Sequence, residues 1–196
     1  MVERYMSSIE LVAGYLAERA RPTVFVPLAL LIAETAWVAA PGPARSAAGF
    51  AMCATQALLI VLALRVWDDL QDRGRDAARH PGRITVRASR VAPLVGLSVV
   101  LAAGGAASLL GATIPRVRIA ILVGIVLGLI VWYRTRPMEP SRLGGFVLLV
   151  KYPVLAIALA PGLGALSPTR AAAATGTLYV IACTYEYLED RFRGIS

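Results

Sequence analysis

Apolar runs of about the length needed to cross a bilayer alternate with short polar stretches along this 196-residue chain. Six such runs are legible, at about 23–40, 46–66, 91–112, 117–133, 144–166 and 171–188. A membrane-spanning helix needs about 20 predominantly apolar residues. The pattern therefore predicts an all-α fold, a polytopic membrane helical bundle of about six transmembrane helices in a single domain, 1–196. Pro22 and Pro27 suit the start of the first run. Gly104, Gly105, Ala106 and Ala107 in the third allow close approach of helices. Lys151, Pro153 and Pro161 interrupt the fifth. Residues 1–22 carry six charges and no unbroken apolar core, which does not suit a cleavable signal peptide. Ile9, Leu11, Val12, Tyr15 and Leu16 are expected to form one face of an interfacial helix there.

Composition agrees with this pattern. Hydrophobic residues make up 58% of the chain, charged residues 16%, and the mean hydropathy is +0.67, which places the chain with integral membrane proteins. The net charge of +8 is almost all arginine. The arginines fall between apolar runs and show none of the basic-aromatic patterning of nucleic-acid binders. The expected contacts are thus the lipid bilayer and a phosphorylated ligand, with no nucleic acid. Cys53 and Cys183 lie inside apolar runs and predict reduced thiols.

With six spans, fifteen basic residues fall on the side holding both termini, and four on the other. By the positive-inside rule the former side is cytoplasmic, in a multi-pass cell-membrane protein. The acids are just as uneven. A cytoplasmic stretch at 67–90 holds Asp68, Asp69, Asp72 and Asp76, and the segment 186–196 holds Glu186, Glu189 and Asp190. Asp68, Asp72 and Asp76 recur every fourth residue, which stacks three like charges on one helix face. A hard divalent cation relieves that repulsion. Mg2+ takes carboxylate oxygens and commonly completes its shell with phosphates. A plain solvated loop accounts for the spacing about as well. Asp69 points to another face and is expected to be a solvated or capping charge. Trp37, Trp67 and Trp132 are expected as interfacial anchors.

These motifs resemble those of the UbiA superfamily of intramembrane prenyltransferases. That family's first signature, Asn-x-x-x-Asp-x-x-x-Asp after the second span, is matched by Asp68, Asp72 and Asp76, with Asp68 in place of the Asn. Its second, similar to Asp-x-x-x-Asp-Arg-x-x-Gly after the sixth span, is matched by Glu186, Asp190, Arg191 and Gly194, with Glu186 in place of the first Asp. Tyr133 and Arg136 match a Tyr-x-x-Lys/Arg element at the end of the fourth span. His80-Pro81-Gly82-Arg83 departs from the family's Arg-Pro. The family has about nine spans, of which this sequence supplies about six.

The resemblance implies a Mg2+-dependent prenyltransferase that moves an isoprenyl group from an isoprenyl diphosphate to a hydrophobic acceptor, aromatic or lipidic. The implied metal ligands and catalytic residues are Asp68, Asp72, Asp76, Glu186 and Asp190. The implied diphosphate ligands are Arg73, Tyr133, Arg136, Lys151 and Arg191. Lys151, the only lysine, lies about 10 Å into the fifth span at 1.5 Å per residue, where charges usually serve a site. A terpene cyclase, and a non-catalytic lipid-diphosphate binder or partner subunit, remain alternatives. Homo-oligomerisation, with a second protomer completing the cavity, also stays open.

Overall fold

The structure, a computed structural model, describes residues 7–40, 46–107, 109–110, 114–136 and 142–193, without the side chains of residues 142, 143, 190, 192 and 193. All regular structure among them is helical. In chain order the α-helices are α1 (Ser8–Arg19), α2 (Pro22–Ala39), α3 (Ala47–Arg79), α4 (Ile84–Arg87), α5 (Ala92–Ala107), α6 (Pro115–Thr135), α7 (Arg142–Leu149), α8 (Lys151–Leu159) and α9 (Pro168–Arg193), with a 3-10 turn at Leu163–Ala165.

Three helices, α2, α3 and α6, are long and apolar enough to cross a membrane. The expected third and fifth spans are shorter apolar helices, Ala92–Ala107 and Gly144–Leu159, and the latter breaks between α7 and α8. The expected sixth span lies within α9.

Local sequence explains the ends of these elements. Ser7 caps α1 in a reciprocal box with Glu10: the Glu10 N–H donates to Ser7 Oγ, and the Ser7 N–H to Glu10 Oε2. Ser46 caps α3 through the Gly49 N–H. Proline opens α2 and α6, where its missing N–H costs nothing. The 33 residues of α3 measure about 50 Å at 1.5 Å per residue. That exceeds a hydrocarbon core of about 30 Å, so the polar turns from Trp67 onward extend past the apolar part of the helix. The acidic stretch is thus helical to Arg79, and only residues 80–83 and 88–91 around α4 lack helix.

Contacts at the two ends show that the long elements alternate in direction. At one end the last turns of α3 meet α1, the end of α6 and the start of α8. At the other, the Gly162 N–H donates to the Ala40 carbonyl at 3.2 Å. There too, Gly49 at the start of α3 approaches Trp37 of α2. Between the ends runs a core of Ile32, Ala33, Ala36, Ala57, Val61, Leu155, Ala156 and Leu178, all buried. A second cluster joins Leu11 and Tyr15 of α1 to Val66, Ile84, Ala88 and Leu94. The apolar face expected of α1 is therefore split. Leu11 and Tyr15 pack inward, while Ile9 and Leu16 are exposed. Trp37 departs from an interfacial anchor, being buried in the main core.

A charge that sequence inspection left unassigned closes the far end. Arg118, in the first turn of α6, is buried and donates to the carbonyls of Ala158 (2.9 Å), Ala160 (2.6 Å) and Pro161 (3.3 Å). Carbonyls at a helix C-terminus lack intrahelical partners, and a cation there also complements the helix dipole.

Helices α3 and α5 touch where Gly105 faces Ile60. A Cβ on Gly105 would lie 2.6 Å from Ile60 Cγ1. Gly105→Val is expected to destabilise the protein by about 1–3 kcal/mol through overpacking, read as a lower thermal midpoint in detergent. Ile60→Ala in the same chain is expected to recover part of the loss.

Candidate functional site

The polar end of α3 gathers residues from elements far apart in the chain. Asp68 accepts a hydrogen bond from the Tyr133 hydroxyl at 2.6 Å on Oδ1 and pairs with the Lys151 ammonium through Oδ2. Arg136 Nη2 donates to Asp72 Oδ1 at 2.6 Å. Its guanidinium also lies 4.2 Å from the centre of the Tyr133 ring, a cation–π distance. Arg75 approaches the same Asp72 oxygen at 4.0 Å. Five residues singled out from sequence thus meet from α3, from α6 and its C-cap, and from α8. Spacing along α6 explains part of this. Tyr133 and Arg136 are three apart, so both face α3 one turn from each other.

Asp76 pairs with Arg83 across the turn after α3, and its Oδ2 is buried with no hydrogen-bond partner. Arg73 is turned elsewhere: its Nη2 donates to the Ala88 carbonyl at 2.6 Å, pinning the segment after α4 to α3. Glu186 lines a cavity of about 290 Å3 between α2 and α9, together with Glu189, Arg65 and Tyr152. Tyr152 is also within electrostatic reach of Asp68, Lys151 and Glu186, so the second acidic segment borders the first cluster. Arg191 is exposed. The side chain of Asp190 and all of Gly194 lie outside the described residues.

Asp69 overturns its expected role as a solvated charge. It is 4% exposed and surrounded by donors. The Tyr15 hydroxyl donates to Oδ2 at 2.9 Å, Arg19 Nε to Oδ2 at 3.0 Å, and Arg19 Nη2 to Oδ1 at 2.7 Å, while Arg65 Nη2 stands 3.3 Å from Oδ1. The Arg19 contact is a two-pronged guanidinium–carboxylate pair, the strongest form of such bonds. Burial, reinforced by the Asp69 carboxylate, raises the Tyr15 phenol well above its ordinary value, so it stays protonated and keeps donating. Burial works against the Arg19 charge, but the hydrogen bond and charge of Asp69, with Tyr15 and Asp76 behind them, together outweigh it and raise its pKa. Two sequence signals announced this arrangement: Tyr15 and Arg19 are four apart on α1, and Arg65 and Asp69 four apart on α3. Their joint target lay fifty residues away and carried no local mark.

The donor set suits magnesium by type, since hard cations favour carboxylate oxygens and Asp76 Oδ2 is buried without a partner. Asp68, Asp72 and Asp76 each face a basic group across α3 rather than one another. Among the described residues, no three of His, Cys, Asp and Glu lie together as one ion's shell. The acids and bases hold one another in a form from which a bound anion and cation would each take a share.

The Lys151 and Asp68 side chains are 5% and 13% exposed. Removing one partner leaves the other as a buried uncompensated charge, which costs about 3–5 kcal/mol. Lys151→Met is expected to destabilise by that order in equilibrium unfolding, and Asp68→Asn added to it to restore most of the loss. A double mutant no more stable than Lys151→Met would mean that the pair is not coupled. In comparison with known proteins, no family model, no curated protein and no solved structure matches this chain.

Proposed function

We propose that this chain is a membrane-embedded, Mg2+-dependent prenyltransferase. It moves an isoprenyl group from an isoprenyl diphosphate to an aromatic or lipid acceptor, as the likeness of its motifs to the UbiA superfamily implies. The observation that carries this is the meeting of Asp68 and Asp72 with Tyr133, Arg136 and Lys151. These contacts join side chains 83, 65 and 64 positions apart in the chain, and the motif resemblance assigns the two aspartates to the metal and the other three residues to the diphosphate. Six passes, with the acidic turns and both termini cytoplasmic, are part of the proposal. The alternating directions of the helices and the fifteen-to-four bias of basic residues support it.

In this mechanism Arg136 and Lys151 leave Asp72 and Asp68 for the phosphate oxygens. Arginine offers a two-pronged grip and lysine a compact charge. Tyr133 donates its O–H to the same group. Arg73 and Arg191 are the further diphosphate ligands expected from sequence, although Arg73 would first have to release Ala88. With those pairings opened, and only once their carboxylates turn toward one another, Asp68, Asp72 and Asp76 would hold one magnesium ion; the resemblance assigns Glu186 and Asp190 to a second. Bound magnesium supplies neutralisation of the charge that builds on the departing diphosphate. The apolar core between the helices would keep water from the allylic cation until the acceptor reaches it.

A second reading is favoured by the saturation of the acids. Each described aspartate of the α3 ridge already has a basic partner, as a purely architectural ion network requires. On that reading the chain binds lipid diphosphates or serves a partner without turnover.

One experiment separates the two. Purified full-length protein is mixed with farnesyl diphosphate with and without Mg2+, and both binding and diphosphate release are followed. The expected result is Mg2+-dependent binding that Asp72→Ala abolishes and Arg136→Gln weakens about tenfold, ~1.4 kcal/mol. Undiminished binding in Asp72→Ala would overturn the site. Binding without any release, across a panel of aromatic and lipid acceptors, would favour the non-catalytic reading.

A further inference from the structure

The cavity between α2 and α9 has two halves of opposite character. Its wall is built by Phe25, Leu28 and Leu31 of α2 and by Leu178 and Ile181 of α9. Its rim carries Arg19, Arg21 and Arg65, with Glu18, Glu186 and Glu189 among them. Counting Asp69 behind Arg19 and Arg65, four acids face three arginines, so a preference for an anion has to come from local donors rather than from net charge. One of its donors stands out: Arg65 Nε is buried and has no hydrogen-bond acceptor, although Nη2 of the same guanidinium reaches Asp69. A buried donor left unpaired costs about 1–3 kcal/mol, so an anion that accepts from it is favoured. Asp69 meanwhile fixes Arg19 and Arg65 side by side at the rim, locked from behind by Tyr15. Two guanidinia aimed by one buried carboxylate form a prearranged anion cradle, and prearrangement lowers the ordering cost of binding.

We propose that this cavity is a binding site for a single-chain amphiphile with a singly charged anionic headgroup. The chain lies along α2 and α9, the headgroup sits on Arg19 and Arg65, and Asp69 is the positioning residue that aims both. Size and charge set the ligand class. The volume of about 290 Å3 is at the small end of ligand pockets, about 300–1,000 Å3, which suits one chain rather than two. The three rim glutamates oppose a multiply charged head, so a carboxylate or phosphodiester fits better than a diphosphate. Glu186 of this rim is also a proposed metal ligand, so the site adjoins the Asp68–Asp72 cluster, but its headgroup contacts, Arg19 and Arg65, take no part in the proposed prenyl transfer.

The test uses detergent-purified full-length protein and native mass spectrometry with three probes of the same acyl chain: oleate, oleoyl lysophosphatidylglycerol and the neutral monoolein. At least one anionic probe is expected to bind about tenfold tighter than monoolein, ~1.4 kcal/mol, and the preferred one identifies the headgroup as carboxylate or phosphodiester. Arg65→Gln is expected to erase the preference while leaving monoolein unchanged. Ile181→Trp, which fills the apolar half from an exposed position, is expected to weaken all three probes. Its thermal midpoint, measured alongside, confirms folding. Asp72→Ala, in the other cluster, is expected to leave all three untouched. Equal binding of anionic and neutral probes would overturn the proposal. So would a preference that survives in Arg65→Gln, or full competition by inorganic phosphate, which has no chain.

Discussion

A carboxylate withdrawn from water needs a cation, and the last turns of α3 carry four carboxylates, each with a basic partner. Their demand organises this molecule. Asp69 draws in α1 through Arg19 and Tyr15, Asp72 the end of α6 through Arg136, Asp68 the start of α8 through Lys151, and Asp76 the turn before α4 through Arg83. Removing one member of a buried pair strands its partner, so each pairing constrains where the next helix can stand. Helices in lipid gain little from apolar contact with one another, because the surrounding tails are equally apolar. On the proposed membrane placement, polar pairs at one end and close packing, as at Gly105 against Ile60, would then carry much of the specificity.

The same network gives the proposed chemistry its starting point. Acids and bases that neutralise one another before a ligand arrives are stable in the unliganded protein. Each also matches one half of a metal–phosphate ligand. Binding would exchange one set of pairings for another rather than bury naked charge. The α3 ridge can therefore serve as architecture and as a site with the same residues, and the two roles differ in whether the pairings open.

Much of this was legible in the sequence, for physical reasons. Long apolar runs can hide their backbone in a bilayer only as helix, so helical class and approximate positions followed from hydropathy. The four-residue recurrence of Asp68, Asp72 and Asp76 fixed a shared face, and the lone charge of Lys151 within an apolar run marked it for an interior partner. The choice of partner was not legible. Nothing near Asp69 indicates that it is buried, because its burial comes from α1, whose docking depends on Gly14 leaving room for Ile84. Trp37 looked like an anchor because it ends an apolar run, yet it packs on Gly49 at the start of α3. The break between α7 and α8 was foreshadowed by Lys151 and Pro153, although its effect on span length was not.

On the proposed membrane placement, Arg118 ties insertion to chain order. Its guanidinium is shut away from water by carbonyls that lie forty residues further along. Until the segment ending at Pro161 has been synthesised and has folded back, the charge at the head of α6 lacks these carbonyls, which on the proposed membrane placement favours the wet headgroup layer. The two elements therefore settle as a helical hairpin, with the arginine holding the first in reserve until the second arrives.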